Sequence, residues 1–283
     1  MKKILNRLFW SVLALVVVGF GVIVWWFTTH ETELVYAPDR EIRAVPDSLG
    51  LTAARVTLVA HDGVKLVGRI YRGPAPDSIA TWILYFHGNA GNASRRADFH
   101  ARLLRLGVSV LVAEYRGYGE SDGTPGEEGL YADGRAFCAY ARDSLGVAPD
   151  RLIIYGHSLG SAVAIECALG VRAGGIIVEG GMTSVPDRGQ ELYPYLPIGL
   201  MASNRFASRE KIGRLTIPKL FLHAVDDDII PIAHGRRLFE TASAPKMFQE
   251  VHGGHNIAYQ RDAHIFFGAI ATFLDRVRNH AQF

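Results

Sequence analysis

The stretch Leu152-Ile153-Ile154-Tyr155-Gly156-His157-Ser158-Leu159-Gly160 passes from a short apolar run into a Gly-x-Ser-x-Gly pattern, and helical spacing opens behind it at Ser161. The order strand, motif, helix gives the pattern its meaning. A sharp strand-to-helix turn crowds the serine backbone, and only glycine on either side avoids a clash. The turn leaves the hydroxyl exposed at the top of a sheet, above a helix N-terminus that favours developing negative charge. Glycine fills 30 of 283 positions, so the bare pattern can arise by chance. Its context singles out Ser158 as a nucleophile.

Outward from this point the chain alternates. Arg55–Ala60 and Lys65–Tyr71 flank Asp62-Gly63, a hairpin signal. Trp82–Phe86, Val108–Val112, Gly175–Glu179, Lys219–Ala224 and Met247–Val251 are short apolar runs that suit parallel strands buried on both faces. Helical spacing fills the intervals Ala93–Leu106, Leu130–Leu145, Ser161–Leu169 and Ala233–Thr241, and a last helix, Asp262–Arg278, closes the chain. A hairpin followed by this alternation predicts one mostly parallel central sheet flanked by helices. Residues 186–216 break the pattern, with Tyr193-Pro194-Tyr195-Leu196-Pro197 and Ile198–Met201 inside them. A long connection of this kind reads as a short lid over the site or as the ordinary packing of a short helix.

The N-terminus is the compositional outlier. Lys2, Lys3 and Arg7 precede an uncharged run from Leu8 to Phe27 that ends on Trp25 and Trp26. Twenty helical residues span about 30 Å, the thickness of a bilayer's hydrocarbon core, and indole rings favour the headgroup region. A cleaved signal peptide has a shorter apolar region and a small-x-small cleavage site. Here Thr28, Thr29, His30, Glu31 and Glu33 surround the end of the run instead. The expectation is an uncleaved transmembrane anchor in residues 1–29 and a lead-in or linker at 30–50. A catalytic domain then fills 51–283, with its lid at about 186–216. The basic flank predicts a cytoplasmic N-terminus and a domain on the extracytoplasmic side, periplasmic or lumenal.

A serine hydroxyl needs a base and an acid to act at neutral pH. Of the histidines after Ser158, His223 ends a strand, while His234, His264 and His280 lie in or after helices and read as surface residues. His255 stands in Gly253-Gly254-His255-Asn256, where two glycines allow a close approach, and is the expected base. His252, at the strand end, is the runner-up. Asp226, Asp227 and Asp228 follow the strand Lys219–Ala224 at its carboxyl end, where such sheets place their sites. Pattern alone leaves all three open as the acid, with Glu179 as an outside candidate. The oxyanion needs two backbone donors. The amide of Leu159 follows the nucleophile, and Asn89 in His87-Gly88-Asn89-Ala90-Gly91-Asn92 offers the second.

Taken together, Phe86–Asn92, Tyr115-Arg116-Gly117-Tyr118-Gly119-Glu120-Ser121, Gly156–Gly160 and Gly253–Asn256 resemble the bud-emergence-type, membrane-anchored serine hydrolases of the α/β-hydrolase superfamily. The resemblance covers nearly the whole chain from Leu8 onward. The family carries its acid in His-Gly-x-x-Asp-x-x-Val-Pro. Here His223-Ala224-Val225-Asp226-Asp227-Asp228-Ile229-Ile230-Pro231 stands in that place, so the resemblance implies Asp227 as the acid, with Ala224 where the family has glycine. It further implies the α/β-hydrolase fold with a short lid, and hydrolysis of carboxylic esters, thioesters or amides. The fold carries many substrates, and none is implied.

Composition narrows the rest. The chain is 49% apolar and 20% charged, enough for a full core in one unit. Its net charge is +2 with dispersed basic residues, which gives a nucleic-acid partner no support. Gly117-Tyr118-Gly119 lacks dinucleotide-binding spacing and there is no P-loop, so no nucleotide is expected. The three aspartates lack calcium-loop spacing, and Cys138 and Cys167 lack zinc spacing. No metal or cofactor is expected, and the cysteines read as buried free thiols, with a single disulfide as the alternative. The expected partner is a small-molecule or lipid-like acyl substrate. An acyltransferase or an aminopeptidase would use the same three residues, and a non-catalytic binding or scaffold protein is the alternative of a different class.

Overall fold

The computed structural model describes residues 1–44 and 47–279. His280, one of the histidines weighed as a base, lies outside them. Among the described residues the strands are β1 (Ala37–Pro38), β2 (Ala53–Val59), β3 (Lys65–Tyr71), β4 (Thr81–Phe86), β5 (Ala90–Gly91), β6 (Val108–Ala113), β7 (Leu152–His157), β8 (Gly175–Glu179), β9 (Lys219–Ala224) and β10 (Lys246–Val251). Eight of them form one sheet in the order β10-β9-β8-β7-β4-β6-β3-β2. β3 runs against both of its neighbours and every other pairing in the sheet is parallel. The crossing from β4 outward to β6 and back to β7 puts β4 and β7 side by side, with Phe86 opposite Gly156. That pairing brings the loop after Phe86 beside the turn at Ser158.

Alternating side chains of each strand serve two cores. Leu84 and Phe86 join Leu111, Phe137 and Val163 on one face, while Ile83 and Tyr85 join Phe99, Val110 and Phe266 on the other. The first face is covered by α4 (Glu127–Ala139), α5 (Leu159–Gly170), α8 (Ser208–Ile212) and α9 (Ile232–Thr241), the second by α3 (Ala97–Leu104), α10 (Gly254–Arg261) and α11 (Ala263–Arg278). Burial from both sides is why β4, β6, β7 and β9 read as unbroken apolar runs. Cys138 and Cys167 are buried free thiols on α4 and α5.

Two remaining regions surround the site. Between β8 and β9 lie α6 (Val185–Leu192) and α7 (Ile198–Met201), followed by α8. At the other end, α1 (Lys2–Thr29) is a single helix of 28 residues, long and apolar enough to cross a membrane. Its rise of 1.5 Å per residue gives it a length of about 42 Å.

Within the stretch expected as a lead-in or linker, residues 31–38 pack on the domain. α2 (Glu31–Val35) turns the chain onto the domain, Tyr36 is 3% exposed, and β1 pairs in parallel with β5. Scattered charges and two prolines hid this, because the docking uses a few separate groups, Glu31, Tyr36 and backbone amides among them, in place of a periodic apolar face. α10 was also absent from the sequence reading. The glycines at its start looked like a loop, and its mixed polar face lacks helical periodicity.

Candidate active site

Ser158 is the residue between β7 and α5, with φ 55° and ψ −123°. A non-glycine residue rarely adopts such a backbone, so its surroundings must hold it there. They do so at both ends of the residue. The Ser158 amide donates to the carbonyl of Glu179 at 2.8 Å, and the Ser158 carbonyl accepts from the amide of Ser161 at 2.9 Å and its hydroxyl at 2.6 Å. The flanking glycines are required by contact. A Cβ on Gly156 would sit 2.3 Å from the Gly160 carbonyl oxygen, and one on Gly160 would sit 2.3 Å from that of Phe86. Leu159 is the first residue of α5, where an amide has no partner within its own helix.

The three aspartates have three different tasks. Asp226 accepts from the amides of Gly253 and Gly254 at 2.9 and 3.2 Å and so fixes the turn before His255. Asp228 accepts a long bond of 3.4 Å from the His255 amide. Asp227 alone of the three reaches the ring, with Oδ2 2.7 Å from His255 Nδ1. Its Oδ1 accepts from the amides of Ile229 and Ile230 at 2.9 and 2.7 Å, which fixes the carboxylate plane. Burial pushes the Asp227 carboxyl up, yet hydrogen bonding and the positive charge available on His255 outweigh it and hold it below the usual 3.8. With Nδ1 engaged, His255 Nε2 is buried and has no partner among the described residues. It is the ring atom placed to take a proton.

β8 joins the turn at Ser158 to this imidazole. Ser158 is bonded to Glu179, and the next residue, Gly180, lies against the ring at φ 55°. A Cβ there would stand 3.1 Å from His255 Cε1. His223 sits beneath Asp227, fully buried, with Nε2 donating to the Ile230 carbonyl at 2.8 Å. Burial keeps His223 below its usual range, so it supports the loop as a neutral ring.

The other weighed residues fall elsewhere. His252 and His264 are exposed. His234, expected at the surface, is completely buried, and its ring meets the Thr183 hydroxyl at 2.8 Å and the Glu191 carboxylate at 3.0 Å. It ties α9 to α6. Glu179 accepts from the Tyr155 hydroxyl at 2.9 Å and pairs with Arg96 at 3.3 Å.

Arg96 is the functional neighbour that sequence reasoning missed. Besides Glu179 it donates to the Tyr85 hydroxyl at 2.8 Å, to His157 Nε2 at 3.1 Å and to the Asn256 carbonyl at 3.3 Å. It therefore braces the residue before Ser158 and the residue after His255 at once. Its position beside Arg95, at a helix start, carries no sequence signal that separates it from a solvated charge. Burial and the nearby Arg96 charge hold His157 well below the usual histidine range, so its ring is neutral.

The loop after β4 lies against Ser158, since a Cβ on Gly88 would be 3.2 Å from Ser158 Cβ. Its carbonyls are pinned by the aromatic motif. Tyr115 donates its hydroxyl to the His87 carbonyl at 3.0 Å, and Tyr118 donates to that of Asn89 at 2.8 Å. From the other side, the Ala37 amide donates to the same Asn89 carbonyl at 3.1 Å, and the Asn89 side chain donates to the Val35 carbonyl at 3.2 Å. Residues 35–37 thus hold a loop of the site.

Asn89, Ser158 and Leu159 share the wall of a cavity of about 230 Å³. Met182, Val185, Leu192 and Ile198 line it from the region of α6 and α7, Ile229 from the acid loop, and Phe27, Leu34 and Val35 from the foot of the N-terminal helix. The wall is apolar apart from a few groups. Glu31 accepts from the Ser203 and Asn204 amides, and Arg188 pairs with Glu191 at 3.2 Å. Among the described residues, no group of three or more histidine, cysteine, aspartate and glutamate side chains is arranged to hold a metal ion.

A family model described as serine aminopeptidase, S33, matches residues 77–209. An uncharacterised protein of Mycobacterium tuberculosis is 32% identical over 271 residues, which cover 93% of each chain. The uncharacterised protein YfhR of Escherichia coli is 31% identical over 238 residues, 81% of each chain. The lysophosphatidylserine lipase ABHD12 of Danio rerio is 32% identical over 197 residues, 62% of this chain and 50% of its own. Among solved structures, the esterase Pf2001 of Pyrococcus furiosus matches with a TM-score of 0.67 at 18% identity, over 86% of this chain and 97% of its own. An α/β hydrolase of Vibrio vulnificus matches with a TM-score of 0.69 at 22% identity, over 83% and 88%.

Proposed function

The chain belongs to the α/β-hydrolases, and from that premise we propose that it is a serine hydrolase cleaving carboxylic ester, thioester or amide bonds through an acyl-enzyme on Ser158. One observation carries the reading. A serine held at φ 55° stands two contacts, through Glu179 and Gly180, from an imidazole whose Nδ1 is bonded to Asp227 and whose Nε2 is unpartnered. Backbone strain of this kind persists where the surrounding structure is built around it.

Ser158 Oγ attacks the acyl carbon while its proton passes to His255 Nε2, and Asp227 stabilises the imidazolium. The tetrahedral oxyanion accepts from the amides of Leu159 and Asn89. Collapse expels the alcohol, thiol or amine, which leaves with the proton from His255. Water then repeats the sequence on the acyl-enzyme and restores Ser158. An acyltransferase would differ only in admitting an alcohol or thiol at this last step.

The cavity favours an acyl chain over an amino-terminal peptide. Its lining is largely apolar, and Glu31, the acidic group on its wall, is already engaged by Ser203 and Asn204. The relative named a lysophosphatidylserine lipase is consistent with a lipid-like ester. Residues 1–29 anchor the catalytic domain in a membrane. Lys2, Lys3 and Arg7 keep the N-terminus cytoplasmic and place the domain on the extracytoplasmic side.

The test is kcat/KM across p-nitrophenyl esters from acetyl to octanoyl, with an amide and a thioester alongside. Two buried methylenes add about 1.6 kcal/mol, close to a tenfold rise. A steady fall from acetyl to octanoyl would end the acyl-chain reading. Absence of turnover on every substrate would end the hydrolase reading.

A further inference from the structure

The cavity wall contains a segment that a soluble hydrolase would not need, the foot of the membrane helix. Phe27 lies in the last turn of α1, Glu31 and Leu34 lie in α2, and all three line the cavity that holds Ser158. This foot is clamped to the lid region at two places. Phe27 packs edge-on against Tyr193 with ring centroids 4.8 Å apart. The Glu31 carboxylate accepts from the Ser203 amide at 3.0 Å and from the Asn204 amide at 2.8 Å.

The same corner exposes apolar side chains. Tyr195 is 93% exposed and Leu200 is 90% exposed, on either side of Ile198, which faces the cavity. Leu192 and Tyr193 are also exposed, and Tyr193 touches the helix that spans the bilayer. An apolar surface this concentrated calls for an occupant. Its continuity with α1 identifies that occupant as the bilayer into which α1 runs. Trp25 and Trp26 mark headgroup depth at the end of the span, one residue before the cavity wall begins.

We propose that the anchor's foot is a wall of the acyl-binding cavity and that the lid tip at Tyr195 and Leu200 rests in the bilayer surface, so that the site draws an acyl-chain amphiphile from the membrane. The inference rests on the serine-hydrolase reading and adds to it a route and a membrane face. α1 is then both tether and part of the binding site. An amphiphile lying in the adjacent leaflet meets the mouth of the cavity at the depth of its own ester group, and its chain enters along Phe27, Leu192 and Ile198 without crossing water.

The test uses the full-length chain in phosphatidylcholine–phosphatidylglycerol proteoliposomes. Leu200→Cys carries an environment-sensitive fluorophore, and Arg172→Cys, at the opposite end of the sheet, serves as control. The native thiols are buried, so labelling is selective. The expected result is a blue-shifted emission at position 200 that spin-labelled phosphatidylcholine quenches, with a water-like signal at position 172. In parallel, Phe27→Trp enlarges the side chain on the wall, and the ratio of octanoyl to acetyl kcat/KM falls several-fold. A water-like signal at position 200, or an unchanged ratio, overturns the inference. Acetyl-ester turnover and fluorophosphonate labelling of the unaltered chain report the underlying reading separately. If they are absent, that reading has failed, and if they are present while the probe stays in water, only the membrane face has failed.

Discussion

Oδ2 of Asp227 lies 2.7 Å from Nδ1 of His255, while its neighbour Asp226 spends its carboxylate on the amides of Gly253 and Gly254. Two adjacent carboxylates thus act on one histidine in different ways. Asp227 orients the ring, and Asp226 positions the loop that carries it.

Neutralising each aspartate separates these tasks. Asp227→Asn is expected to lower kcat by about 10⁴-fold, because an amide can present the wrong group to the ring. Asp226→Asn weakens two bonds to a solvent-exposed charged acceptor, so it lowers Tm slightly and reduces kcat more modestly. Asp228→Asn, with one long bond at stake, should stay near the parent enzyme. Equal losses in all three variants, measured on one ester, would contradict the assignment of the acid.

Arg96 is expected to act as a positioning residue. Arg96→Met leaves Glu179 buried without its partner, a loss of about 3–5 kcal/mol that should appear as a lower Tm. The double variant Arg96→Met/Glu179→Gln removes the unpaired charge and recovers much of that stability. It should still show a reduced kcat with KM little changed, because the braces on His157 and Asn256 are gone. A double variant with parental kcat would assign Arg96 a purely structural role.

The turn at Ser158 was legible in the sequence because its pattern is local. Strand, glycines, serine and helix follow one another without a gap. The parallel sheet was legible for a similar reason, since burial on both faces writes continuous apolar runs. The choice among three aspartates was not legible from pattern, since it depends on which carboxylate meets a ring 28 residues away. It came from the family resemblance. Arg96, Gly180 and Tyr118 were missed or left without a role because each acts by contact across the sheet. The docking of residues 31–38 has no composition signal, because backbone pairing leaves none.

Acid should destabilise the fold through its buried histidines. His100 packs between Tyr71 and Tyr85, and burial pushes it down to about 3 from the usual 6.5. Between those values the unfolded chain holds the extra proton, so stability falls as pH drops below 6.5, by at most about 1.4 kcal/mol per pH unit. His157 contributes with the same sign. Replacing His100 by phenylalanine should therefore flatten the decline of Tm between pH 6.5 and 4. A variant whose Tm falls as steeply as the parent's would contradict this account.

The anchor should remain on the mature chain. The expected intact mass includes Met1–Phe27, and the protein should stay with membranes through an alkaline carbonate wash. Protease added to sealed, right-side-out spheroplasts should digest the catalytic domain and spare the N-terminal tip. A mass that starts after residue 27, or a domain shielded from that protease, would contradict the proposed topology.

The central claim is that Ser158 is the nucleophile, and a fluorophosphonate probe tests it in one step. On the full-length protein, digestion and mass spectrometry should place a single phosphonate on Ser158. The Ser158→Ala variant, with an unchanged circular dichroism spectrum, should take up no probe and lose ester turnover to the level left by binding and the oxyanion amides. Undiminished labelling of Ser158→Ala, or a modified peptide that does not contain Ser158, would contradict the account.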